Sequence, residues 1–203
     1  MLLYASRGLG ALEGEVIPSE GVLKKITGRP QALFSEVTAE RGDDDSRWIR
    51  MYAGAHVCTE LPLEKLYPVI SDYENYPAVF KRNRTARVFE AEGEGVYQDV
   101  EVGIILPGIS YTSRYRTLII EKEHTPSRLI LEFTGVSSDG SVKDVSAQWY
   151  FETLLLDGRP YTYIRYIQSS SVVRKSIFQK TLMTMFLDSE TTAMLNQLLN
   201  ASK

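Results

Sequence analysis

Few residues in this 203-residue chain have a type and spacing that does chemistry. The two histidines, His56 and His124, lie far apart, and the single cysteine, Cys58, cannot form an intrachain disulfide. One Cys and two such His do not make a zinc cluster at any usual spacing. The triplet Asp43-Asp44-Asp45 lacks the spacing and terminal Glu of a calcium loop. No metal and no cofactor is therefore expected. Asp99 and Glu101 share one strand face, where paired carboxylates can do acid/base work. They oppose the apolar face of that strand and read as solvated. His56 alternates with Gly54 and Cys58 and reads as a wall or surface histidine. No nucleophile elbow, phosphate loop or dinucleotide fingerprint occurs. What remains is a small polar stock of Gln98, Tyr111, Tyr115 and Arg165. Gln98 is an uncharged polar residue within an apolar face and suits headgroup selection. Arg165 either neutralises an acidic ligand or pairs with Asp144 or Glu152. No catalytic residue is assigned, and the balance leans away from an enzyme.

These groups need elements to hold them. Val96, Val100, Val102, Ile104 and Leu106 alternate onto one face with Gln98, which marks a half-buried strand. Ile109 to Glu123 puts Tyr111, Ser113, Tyr115, Thr117 and Ile119 together. Further strands are expected over Arg47–Thr59, Thr85–Ala91, Arg128–Thr134, Ser141–Leu156 and Tyr161–Ser171, with a loop at Val136–Gly140. Asp157-Gly158 is a strong hairpin signal. Pro62 opens a short helix, with Pro68 expected to kink or shorten it, and a second short helix contains Tyr73 and Tyr76. The stretch from Val172 to Lys203 contains neither Gly nor Pro and reads as one long amphipathic helix. The order is α+β, a curved antiparallel sheet of about six to eight strands with the last helix laid on one face.

Hydrophobic residues make up 43% and charged residues 24%, values of a globular chain. A net charge of −3 argues against nucleic acid as the main partner. The dense basic run Lys81, Arg82, Arg84 and Arg87 reads as a solvated loop, or as peripheral contact with anionic membrane headgroups. No stretch approaches the length of a membrane span. The start lacks the pattern of an intact secretory signal, which favours the cytoplasm, or export if Met1 follows a removed leader. Residues 1–46 read as an extension with an extra strand near Gln31–Glu40, and residues 47–203 as the main domain.

Two stretches carry a family resemblance. Val69-Ile70-Ser71-Asp72-Tyr73-Glu74-Asn75-Tyr76-Pro77-Ala78-Val79-Phe80 resembles the end of the first helix in the START-like, or SRPBCC, superfamily. Ala147-Gln148-Trp149-Tyr150-Phe151-Glu152, followed by Asp157-Gly158, resembles a late strand of its polyketide cyclase/dehydrase-like and coenzyme Q-binding members. The resemblance implies a helix-grip fold, with a hydrophobic cavity between the sheet and the C-terminal helix. It implies binding or carriage of a lipid, sterol, quinone or polyketide-like molecule. The alternatives are a cyclase, dehydratase or hydrolase on the same scaffold, or a protein- or ribosome-interaction module. The expected walls are Gln98, Val100, Val102, Tyr111, Tyr115, Leu131, Phe133, Val145, Trp149, Phe151 and Arg165. The expected lid residues are Met183, Phe186 and Met194.

Overall fold

The structure, a computed structural model, describes residues 17–42, 46–106 and 109–203, without the side chains of 104–106, 109 and 111. The described residues form α1 (Glu20–Lys25), β1 (Gln31–Arg41), β2 (Arg47–Thr59), α2 (Leu63–Ser71) and α3 (Tyr76–Val79). A 3-10 turn over Tyr73–Asn75 precedes α3. β3 (Asn83–Glu90), β4 (Val96–Leu106), β5 (Ile109–His124), β6 (Arg128–Ser138), β7 (Val142–Leu156), β8 (Arg159–Val173) and α4 (Gln179–Ala201) follow. The strands make one antiparallel sheet in the order β1-β2-β8-β7-β6-β5-β4-β3, so β8 brings the start and the end of the chain together.

Local chemistry explains much of this. Leu156 pairs with Arg159 across a two-residue loop, and Asp157 (φ 51°) and Gly158 (φ 74°) are both left-handed. That geometry matches the right-handed twist of the flanking strands. β1 closes over β2 because Gly54 leaves room for Phe34, whose ring would lie 2.8 Å from any Cβ added there. α2 runs through Pro68 and ends three residues later.

Two boundaries differ from the sequence expectation by more than two residues. β6 continues over Val136–Ser138, because Ser138 still pairs with Tyr115 of β5 through the backbone and needs no apolar side chain. The long helix begins at Gln179 rather than Val172. Val172 and Val173 complete β8 against Ile49 and Trp48, as suits β-branched residues.

α4 lies on the concave face of the sheet. Near its C-terminus Leu195, Leu198 and Leu199 enter a core with Val57, Ile70, Trp149 and Phe151. Near its N-terminus Met183 packs with Ile49, Val142 and Val172. On the convex face, Leu23 and Ile26, in and just after α1, cover Cys58, Tyr150 and Tyr163. His56 is buried there with Nδ1 3.3 Å from the Tyr163 hydroxyl, and burial lowers its pKa.

Leu195 is fully buried, so Leu195→Ala is expected to cost about 2–5 kcal/mol in urea unfolding. Leu155, 75% exposed, is expected to change stability by less than about 0.5 kcal/mol when truncated. For His56, the unfolded imidazole titrates near about 6.5 and the native one lower. The unfolded chain therefore binds the proton first. Stability is full above about pH 6.5 and declines as the pH falls toward the native value. The unmutated protein should lose stability more steeply below about pH 6.5 than His56→Gln, and parallel curves would refute the assignment.

Candidate functional site

β4 and β5 carry matched rows of side chains to the concave face. Gln98 stands opposite Thr117, Val100 opposite Tyr115, and Val102 opposite Ser113. β6 and β7 add Phe133, Val145, Ala147 and Trp149, while β8 adds Tyr166, Gln168 and Ser170. From above, α4 contributes Leu187 and Met194, seven residues and about two turns apart. Together they surround a cavity of about 160 Å³. That is close to the roughly 150 Å³ apolar cavity that admits benzene.

The walls are mostly apolar, and their polar groups are neutral hydroxyls and amides. Gln98 is buried and its Nε2 donates to the Tyr73 carbonyl at 2.8 Å, tying the 3-10 turn to the sheet and leaving Oε1 for a ligand. Ser113 Oγ and Thr117 Oγ1 are buried without a hydrogen-bond partner. Burial pushes Tyr115 up to about 12 and raises Tyr166 further, so both phenols keep their protons at neutral pH. The one charged group of the described lining is Arg82, whose Nε lies 2.7 Å from Glu190 Oε2 on α4. The arrangement can solvate an apolar molecule and offer it hydrogen bonds. It provides no histidine or carboxylate among the described lining residues to take a proton.

Eight of the residues expected from sequence meet at this cavity: Gln98, Val100, Val102, Tyr115, Phe133, Val145, Trp149 and Met194. Leu131 and Phe151 lie instead in the solid core beneath one end of α4. Met183 and Phe186 belong to the small cluster at the other end. The side chain of Tyr111 lies outside the described residues.

Arg165 is on the opposite face of the sheet. The register Trp149–Tyr166 puts the even-numbered residues of β8 on the concave side. Arg165 there donates to Gln148 Oε1 at 3.2 Å and lies 5.4 Å from the Tyr150 ring centroid. It makes no ion pair with Asp144 or Glu152, and Glu152 bonds Arg128 at 3.1 Å. Asp99 and Glu101 are also not simply solvated, since Arg116 holds the first and Arg114 the second.

Sequence reasoning passed over Leu187, Tyr166 and Gln168. β8 carries Tyr and Ile in both phases, Ile164 and Tyr166 inward and Tyr163 and Ile167 outward, because α1 covers part of its convex side. A strand buried on both faces loses the alternation that tells them apart. Ser113 and Thr117 did show in the alternation beside Tyr115, but small hydroxyl side chains carry no hydrophobic signal.

No protein-family model matches the chain, and no curated protein matches it in sequence. Solved structures do match its shape. The Zhui aromatase/cyclase from Streptomyces sp. R1128 superposes with a TM-score of 0.51 at 18% identity, over 75% of this chain and 93% of its own. A STAR-related lipid transfer protein from Xanthomonas axonopodis gives 0.55 at 10% identity, over 82% and 98%. A Thermus thermophilus protein gives 0.52 at 13% identity, over 74% and 93%. With its curved antiparallel sheet closed over a long C-terminal helix, the chain has a helix-grip fold like that of these solved structures.

Proposed function

We propose that the protein binds and carries a hydrophobic small molecule, of the lipid, sterol, quinone or polyketide-like kind, between its sheet and α4. The observation that carries this reading is the cavity itself, flanked by solid packing at both ends of the helix. The structural neighbours bear names of a lipid transfer protein and an aromatase/cyclase, which agrees with it. At about 160 Å³ the space takes a ring-sized body, so a sterol or long acyl chain requires α4 to lift.

A cyclase, dehydratase or hydrolase is supported less. Of its expected polar stock, Gln98 and Tyr115 reach the cavity, while Arg165 does not. A surface-interaction role or membrane contact through the basic run stays an alternative: Arg82 is paired with Glu190, whereas Lys81, Arg84 and Arg87 are exposed. No helix among the described residues is long and apolar enough to cross a membrane.

Native mass spectrometry of the purified protein with lipid and quinone panels is expected to show a bound species. Ala147→Leu, which grows into the cavity, should cut that occupancy at least tenfold while the circular dichroism spectrum is kept. No bound mass across the panels would overturn the proposal.

A further inference from the structure

Two features of the cavity wall do not suit a purely hydrocarbon guest. Ser113 Oγ and Thr117 Oγ1 are buried, line the cavity and have no hydrogen-bond partner. A buried hydroxyl without a partner is a cost to the fold, and most such groups are satisfied. The two stand four residues apart on one strand, so their Cα atoms are separated by about 13 Å. Between them Tyr115 faces Val100 across the ladder, and Gln98 faces Thr117 at the far rung. The two unpartnered hydroxyls are thus set apart along β5 on either side of Tyr115, while the other neutral polar groups of the lining, such as Gln168 and Ser170, come from the far wall on β8. They are also uncharged, and the one cation of the described lining already has Glu190 as its partner.

Building on the carrier reading above, we infer that this cavity selects a neutral, elongated and mostly apolar molecule with a hydrogen-bonding oxygen or nitrogen at each end. Ser113 meets one end, and Thr117 with the free Oε1 of Gln98 meets the other. Ser113 and Thr117 are specificity-determining residues, and the stability they forgo in the empty protein is recovered when a ligand bonds them.

A matched pair of probes tests this. 2,6-Dihydroxynaphthalene and 2,6-dimethylnaphthalene have nearly the same shape, and the dimethyl compound gains more on leaving water. In a cavity without usable polar groups it must therefore bind tighter. Titration calorimetry is expected to show the opposite, with the diol at least tenfold tighter, at roughly fivefold for each neutral hydrogen bond. In the double variant Ser113→Ala, Thr117→Val that preference should invert, while affinity for the dimethyl compound stays within threefold. The ligand-free double variant should melt at the same temperature or higher, because two unpartnered hydroxyls are gone. Equal or reversed affinities in the unmutated protein would overturn the polar selection and leave the pocket standing. A lower melting temperature in the variant would assign the hydroxyls to the fold itself and overturn it as well. Failure of both probes to bind, in a protein that does bind members of the lipid and quinone panels, would overturn the two-ended slot alone. Failure of probes and panels together would overturn the pocket reading with it.

Discussion

α4, with α2 and α3 beside it, covers the concave face of the sheet, and the rest of the structure follows from how α4 does so. α4 touches down twice. Met183 meets Ile49, Val142 and Val172 at one end, and Leu195, Leu198 and Leu199 meet the main core at the other. Between these two seats side chains leave a gap, and Leu187 and Met194 line it. The space measures about 160 Å³ and is bounded by side chains from the sheet and from α4.

The two faces of the sheet divide the chemistry. Ion pairs such as Arg116–Asp99 and Arg114–Glu101 lie opposite the concave rows. The buried Arg165 donates to Gln148 and lies over the Tyr150 ring on the convex side, with its Nε unpartnered. The cavity keeps hydroxyls and amides. Recognition inside it works through shape and neutral hydrogen bonds, which salt screens little, rather than through charge.

How much of this was legible follows from the wetness of each surface. β2 was readable to the residue, and so was the β7–β8 turn, since Asp157-Gly158 imposes its own geometry. β4 and β5 declared their inward rows because their outer rows carry charge: Asp99 and Glu101 on one, Arg114 and Arg116 on the other. β8 did not, because α1 hides part of its outer side, and so Arg165 was placed on the wrong face. The lid was legible only in part, with Met194 at the gap and Met183 and Phe186 in the cluster beside it. α4 has apolar residues around much of its circumference, with Phe178 and Met185 exposed and Met183 and Leu187 buried, so periodicity could not choose which of them meets the gap.

The position of β8 in the sheet has a consequence for assembly. It pairs with its sequence neighbour β7 across a two-residue turn, but also with β2, about a hundred residues earlier. The first pairing is local and closes a short loop, whereas the second must bring remote parts of the chain together. α4 can settle only when both are made. The cavity, lined by Met51 of β2, Tyr166 of β8 and Leu187 of α4, is thus a product of long-range closure.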